Sequence, residues 1–197
     1  RSFFSRSRLL PGRVKTRLGR EIGHVAAAWW FRRQVAGLLR RLRDPRWQVV
    51  LAVAPDAEGC TSRIWPADLP RIPQGPGDLG DRMRRIMRGM PPGPVVVVGA
   101  DIPGITQPRI RRAYRALGAA QSVVGPAPDG GYWLIGLKRT FAVRPDLFDR
   151  VRWSTDNALL DTLRTLPRPF AAVDTLADID TKADLDHLRR RNTSNEA

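Results

Sequence analysis

The sequence predicts a single α/β domain: a three-layer α/β/α sandwich built on a mainly parallel sheet. Three observations carry this expectation. Strand-like apolar runs alternate with helix-period segments along the whole chain. Four consecutive valines, Val95 to Val98, have the composition of a strand buried on both faces. No internal repeat and no long linker divides the sequence. With 197 residues, 42% of them hydrophobic, the chain can bury one sizeable core. The domain is placed at residues 1–191, with residues 192–197 as a polar tail.

Element by element, Ser2 to Ser5 is the candidate first strand, and Arg6 to Arg13 a loop turning at Pro11-Gly12. Glu21 to Arg43 has helical periodicity, with Ile22, Val25, Ala26, Trp29, Trp30, Val35, Leu38, Leu39 and Leu42 recurring at three- and four-residue steps. Asp44-Pro45 stops that helix. Gln48 to Ala54 reads as a buried strand, and Pro55 to Gly77, rich in proline and polar residues, as irregular connection. Asp78 to Met90 is a helix, Val95 to Val98 a strand and Pro108 to Leu117 a helix. Ser122 to Gly125 and Tyr132 to Leu137 are strands. Pro145 to Val151 and Thr155 to Leu166 read as helices, Phe170 to Val173 as a strand, and Lys182 to Arg191 as the last helix. Asn192 to Ala197 is expected to fray.

Composition narrows the function classes. No apolar run is long enough to cross a bilayer and no signal-peptide pattern is present, so a cytoplasmic protein is expected. Cys60 is the one cysteine, which excludes a disulfide framework within the chain. The net charge of +15 invites a nucleic-acid reading. Lysine, however, occurs only at Lys15, Lys138 and Lys182, and arginine is scattered through a chain rich in Ala, Gly and Pro, as GC-rich codon usage produces. No aromatic residues are interleaved with basic ones as base stacking needs, so nucleic acid is not the expected partner. His24 and His187 lack metal-ligand spacing. Ser154 lies outside any Gly-x-Ser-x-Gly elbow. Trp29-Trp30 reads as a helix packing on the sheet or as a homodimer contact.

Two segments suggest chemistry from their residues alone. The valine run ends in Gly99-Ala100-Asp101-Ile102-Pro103. Ligands of open α/β sheets bind at the carboxyl ends of strands. Asp101 is placed there to hold Mg²⁺ or Mn²⁺ against phosphate oxygens, or else to cap a turn. Pro11-Gly12-Arg13-Val14-Lys15-Thr16-Arg17-Leu18 would offer backbone N–H groups and the cations of Lys15 and Arg17 to a polyphosphate. It lacks P-loop spacing, and it reads equally as a solvated turn with Lys15 an exposed loop lysine.

Together these segments resemble a bacterial family of the nucleotide-diphospho-sugar transferase (GT-A) fold. Its members are labelled radical-SAM/selenodomain-associated transferases, arsenosugar-biosynthesis-type glycosyltransferases, or a domain of unknown function. Molybdenum-cofactor nucleotidyltransferases and phospholactate guanylyltransferase are more distant relatives. The resemblance runs from Phe4 to Leu18, through Gly77-Asp78-Leu79-Gly80-Asp81-Arg82-Met83, Gly99 to Pro103 and Gly125 to Leu137 with its Asp129-Gly130-Gly131-Tyr132 block. It ends with Trp153-Ser154-Thr155 and with Asp178-Ile179-Asp180-Thr181-x-x-Asp184-Leu185. The family has a longer first strand and a lysine before the loop, where this chain has Arg6 or Arg8.

The resemblance implies roles. Pro11, Gly12, Lys15, Arg17, Gly77 and Asp78 would bind the nucleotide and its phosphates, with Lys15 also neutralising charge on the leaving group. Asp101 would hold Mg²⁺ or Mn²⁺ together with Asp180, Asp178 being the alternate second ligand. Those residues also read as an N-cap network for the last helix, with Thr181 or Asp180 capping. Asp129 would act as hydrogen-bond acceptor or general base, and Gly130, Gly131, Tyr132, Trp153 and Ser154 would bind the acceptor. The bland alternatives are an ordinary turn at Asp129, a helix cap at Ser154-Thr155, and a surface pair between Asp78 and Arg82. The implied activity is a metal-dependent transferase using a nucleotide-activated donor, foremost a glycosyltransferase acting from a nucleoside-diphosphate sugar onto a small-molecule acceptor. The alternatives are a guanylyl- or cytidylyltransferase that releases pyrophosphate from a nucleoside triphosphate, and a non-catalytic nucleotide- or nucleic-acid-binding module.

Overall fold

In a computed structural model, which describes residues 2–6 and 15–193, the chain forms one seven-stranded sheet with helices on both faces. Its strands are β1 (Ser2–Arg6), β2 (Val49–Val53), β3 (Arg71–Pro73), β4 (Val95–Gly99), β5 (Ser122–Pro126), β6 (Tyr132–Leu137) and β7 (Phe170–Ala172). Their order across the sheet is β3-β2-β1-β4-β6-β5-β7. Only β6 runs against its neighbours β4 and β5; the other pairings are parallel. The expected α/β/α sandwich with a mainly parallel sheet is therefore the observed fold.

The sheet core follows from β-branched residues buried on two faces. Val96 and Val98 pack with one apolar cluster, under α2 (His24–Arg41) and α5 (Gln107–Ala119). Val95 and Val97 pack with the other, under α4 (Leu79–Gly89) and α6 (Ala158–Thr165). This alternation is the period of two that a strand imposes. A smaller cluster joins Leu18 of α1 (Thr16–Ile22), Ala27 of α2, Ile179 and Leu185 of α7 (Lys182–Thr193). It locks the first loop's exit to the last helix, and the candidate site lies beside it.

Several expected elements differ. The helix expected from Glu21 to Arg43 is two helices, because Gly23 sits at φ 90° and breaks the ladder between α1 and α2. Pro55 to Gly77 is not wholly irregular. It holds α3 (Asp56–Thr61) and β3, joined where the Asp56 carboxylate accepts from the backbone N–H groups of Gln74 (3.1 Å) and Gly75 (3.2 Å). Pro145 to Val151 is a run of turns rather than a helix, since Phe148 and Arg150 take φ of 66° and 53°. Leu147 and Phe148 are nevertheless buried. Thr155 to Leu166 is helical only over α6, and α7 runs to Thr193, two residues into the expected tail. Trp30 packs inward, while Trp29 is 65% exposed with Arg32 over its ring. Among the described residues no helix is long and apolar enough to cross a membrane.

Candidate functional site

The sheet order reverses direction between β1 and β4: β1 leads outward to β2 and β3, and the chain then returns to place β4 on the other side. Such a switch point opens a crevice at the carboxyl ends of the strands. Lys15 follows β1 and Asp101 follows β4, so the two enter the crevice from its two sides. Because β6 is antiparallel, the 127–131 turn before it lies at this same edge. The segment after β7 arrives there too. It continues along the end of β5, with Val173 N–H donating to Val124 O (2.9 Å) and Leu176 N–H to Pro126 O (3.1 Å). The Trp133 indole N–H fastens it further by donating to Asp174 O (2.7 Å).

That segment delivers Asp178 and Asp180 to Lys15. The Lys15 Nζ lies 2.6 Å from Asp180 Oδ1, 3.0 Å from Asp101 Oδ2 and 3.4 Å from Asp178 Oδ2. Its side chain is 1% exposed, so the expectation of an exposed loop lysine is corrected: Asp101 faces it from the end of β4, and Asp178 and Asp180 from the segment after β7. Burial acts to lower the Lys15 pKa and is the largest single influence. The attraction of Asp101 and Asp180 outweighs it, and the net shift is upward from 10.5. Asp178 is shifted upward, first by burial and then by repulsion from Asp180 and Asp101, with Lys15 pulling the other way. Arg17 Nη1 adds a second, exposed cation 3.8 Å from Asp180 Oδ2.

The capping alternative for this segment holds for a neighbouring residue. Thr181 and Asp184 form a reciprocal cap: Asp184 N–H donates to Thr181 Oγ1 (3.2 Å), and Thr181 N–H to Asp184 Oδ2 (2.8 Å). With the helix start satisfied in this way, the Asp180 carboxylate is left to face Lys15. Among the described residues no three Asp, Glu, His or Cys side chains are gathered as a ready metal-ligand cluster. The three carboxylates converge on the ammonium instead.

Opposite this charged group lies the rest of a cleft of about 470 Å³. It is lined by Arg17, Asp101, Asp129, Gly131, Tyr132, Trp153, Ser154 and Asp180 among the expected residues. Asp129 is exposed and its Oδ1 accepts from Gly131 N–H (3.0 Å). The Tyr132 ring meets Trp153 edge-on with centroids 6.5 Å apart, while its hydroxyl turns away to accept from Thr162 Oγ1 (3.4 Å). Burial pushes the Tyr132 phenol well above its ordinary range.

Gly130 does not face the cleft. At φ 78° it packs under Asp156, and its carbonyl accepts from Leu159 N–H (2.9 Å), so the turn props up the 153–156 wall from behind. Gly77 and Asp78 also stand outside the lining. Asp78 caps α4 in a reciprocal box with Asp81, and its Oδ2 accepts from the Trp153 indole N–H (3.2 Å). Pro11 and Gly12 lie outside the described residues.

Sequence reasoning missed Asp156 and Asp161. Asp156 lines the cleft. Asp161 is buried and accepts from Arg152 N–H (3.2 Å), Arg152 Nε (2.8 Å) and Arg164 Nη1 (3.1 Å). It thereby holds the wall segment in which Ser154 takes φ 61°. An aspartate inside an amphipathic helix gives no local signal of such a partner.

A structure from Desulfovibrio desulfuricans G20, described as a candidate nucleotide-diphospho-sugar transferase, is 32% identical to this chain, with a TM-score of 0.85 over 97% of this chain and 86% of that one. More remote likenesses share the fold alone. The 4-diphosphocytidyl-2C-methyl-D-erythritol synthase of Anaerococcus prevotii is 10% identical, with a TM-score of 0.57 over 98% of this chain and 94% of that one. Rv0371c of Mycobacterium tuberculosis H37Rv in complex with manganese is 16% identical, with a TM-score of 0.54 over 95% of each chain. A comparison with curated proteins gave no match. Residues 38–155, from α2 through the cleft wall at Thr155, match the family described as "Uncharacterized protein conserved in bacteria". With more than half of its length matched, the chain belongs to this bacterial family, DUF2064.

Proposed function

We propose that this protein is a metal-dependent transferase acting on a nucleotide-activated donor, foremost a glycosyltransferase using a nucleoside-diphosphate sugar. This keeps the resemblance to radical-SAM-associated and arsenosugar-type glycosyltransferases. The observation that carries it is the convergence of Lys15, Asp101, Asp178 and Asp180 at the sheet's switch point, on one side of a cleft sized for a small molecule. The 32% identity to a candidate nucleotide-diphospho-sugar transferase supports the same reading.

Carboxylate oxygens are the ligands that suit a divalent cation such as Mg²⁺ or Mn²⁺. Asp101 and Asp180 would hold it, with Asp178 beside them, and bound there it would screen the charge of the donor's diphosphate. Lys15 and Arg17 would meet the phosphates and neutralise charge building on the leaving group. Across the cleft Tyr132, Trp153 and Ser154 would seat the acceptor. Asp129, exposed and lining the cleft, would take the proton of the attacking hydroxyl. Rate would come from positioning and charge neutralisation. Nucleotidyl transfer is the second reading, because the same carboxylate–lysine group would equally serve a triphosphate. Release of pyrophosphate selects it, and release of a nucleoside diphosphate selects glycosyl transfer.

The test is thermal stabilisation by nucleoside di- and triphosphates and nucleotide-sugars with Mn²⁺, the metal found with one protein of this fold. A ligand at about 100 times its Kd adds roughly 2.7 kcal/mol, or about 5–10 °C for a domain of this size. Tripolyphosphate at matched ionic strength is the control for a chain of charge +15. If tripolyphosphate stabilises as much as every nucleotide and Mn²⁺ changes nothing, the reading fails.

A further inference from the structure

A second groove, of about 810 Å³, lies at the edge of the sheet opposite the cleft. Strands β1, β2 and β4 are parallel, so the residues that precede β2 and β4 gather at the strands' amino ends. Pro45 to Gln48, Pro91 to Pro94, and Arg111, Tyr114 and Arg115 of α5 line it. We propose that this groove docks an acidic, extended segment of a partner protein, one carrying aliphatic side chains between its carboxylates.

Charge sets the sign of the partner. Arg46, Arg111 and Arg115 line the groove and no carboxylate does. Asp44, beside it, is the one counter-charge among the described residues. Arg46 donates to it through Nε (2.7 Å to Oδ1) and through Nη2, and Arg111 also acts on it. Arg109 and Arg112 of α5 stay outside the groove and share Asp174. Arg115 is exposed and has no ion pair with a described residue. Arg139 adds a further positive charge at the proline wall, donating to Pro91 O (2.9 Å) and Met90 O (2.7 Å). One carboxylate against four guanidinium groups leaves the groove positive. Arg111 and Arg115, four residues apart on one helix, repel each other, and an incoming carboxylate relieves that repulsion. A second copy of this chain, at net charge +15, is repelled.

Shape selects a polypeptide over a nucleic acid. Stacking on bases needs free ring faces. Trp47 has its faces engaged: its ring stacks with Tyr114 (centroids 5.9 Å apart, planes at 22°), and the Arg46 guanidinium carbon lies 5.6 Å from its centroid. Its indole N–H donates to Leu42 O (2.8 Å) and holds the ring in place. Pro45, Pro91, Pro92 and Pro94 present apolar rings and no backbone N–H. Anions therefore find their donors chiefly at the guanidinium groups, and the surface between suits aliphatic side chains.

The test is fluorescence anisotropy at physiological ionic strength with a labelled peptide in which glutamates are interspersed with leucine and serine. Wild type should bind it saturably. Arg111→Gln with Arg115→Gln should weaken binding at least tenfold. Arg33→Gln with Arg63→Gln, exposed residues that remove the same charge outside the groove, should change it less than twofold. Replacing the leucines by serine at constant charge should also weaken binding. Absence of saturable binding to wild type, an equal loss in the two double variants, or indifference to the leucines overturns the proposal. So does tighter binding of a labelled oligothymidylate of matched charge through Arg111 and Arg115, which would assign the groove to nucleic acid. The response of the cleft to nucleotides with Mn²⁺ should be the same in all three proteins, so this inference and the transferase reading stand or fall separately.

Discussion

Replacing Gly130 by alanine adds one methyl group, and the structure gives that methyl nowhere to go. Gly130 has φ 78°, which for an L residue costs about 1–2 kcal/mol. A Cβ built there would lie 2.2 Å from the Asp156 carbonyl oxygen and 2.4 Å from its Cα. These are backbone atoms in a segment pinned by Arg152–Asp161 and by Leu159 N–H on the Gly130 carbonyl, so no side chain can rotate away. Forcing the contact adds about 1–3 kcal/mol. The total is about 2–5 kcal/mol, and at roughly 2–4 °C per kcal/mol for this size the melting temperature should fall by about 4–20 °C. Gly131→Ala is the built-in control. Its Cβ would meet the Asp129 carboxylate, Oδ1 nearest at 3.2 Å, the end of an exposed side chain, and should cost under about 1 kcal/mol. Gly130→Asn separates the two causes, because asparagine tolerates positive φ but still carries the Cβ. Calorimetric melting of the four proteins decides the matter. Gly130→Ala melting alongside Gly131→Ala would show that the 153–156 wall is not held as described, and full recovery by Gly130→Asn would show that φ rather than the contact is responsible.

Further outcomes follow from the same contacts. Lys15→Met in chelator should destabilise the fold by about 1–3 kcal/mol, below the 3–5 typical of breaking a fully buried pair because Asp178 and Asp180 are about a third exposed; an unchanged denaturant midpoint would show that the lysine is not the carboxylates' counter-charge. The Lys15 pKa is raised in the fold, so its contribution is complete below pH 10.5 and fades as pH rises through the shifted value; Lys15→Met should flatten the alkaline limb of a stability–pH curve. Asp161 is held down to about 2, chiefly by its hydrogen bonds from Arg152, so its contribution is present above the ordinary carboxylate pKa and disappears as pH falls toward 2. Asp161→Asn should therefore weaken the acid dependence of urea midpoints in that window, and an unaltered slope would rule the pair out as its source. Asp78→Ala should cost about 1–2 kcal/mol through the lost α4 cap, whereas Asp78→Asn, which keeps an accepting oxygen, should cost less.

The sequence by itself determined the layers of this protein. Alternating strand and helix patterns define α/β/α packing, because the two periods follow from backbone geometry and need only neighbours within a few residues. Asp101 was legible for the same reason: a β-branched run ending in Gly-Ala-Asp places that carboxylate at a strand's end wherever the strand goes. The break at Gly23 and the turns at Phe148 and Arg150 were less legible, since periodicity counts apolar positions and registers neither a glycine's φ nor a buried residue outside a helix. Tertiary structure alone decided the burial of Lys15. A basic loop looks solvated until the segment after β7 comes against Lys15, and residues 163 and 165 positions away meet it only because β7 lies beside β5 and directs the chain back across the sheet edge. It also separated Asp180 from the capping role that Thr181 and Asp184 fill, and placed Gly130 behind the cleft wall rather than in it. Each of these depends on which strands are neighbours, a choice made by the burial of whole faces and not by any local run of residues.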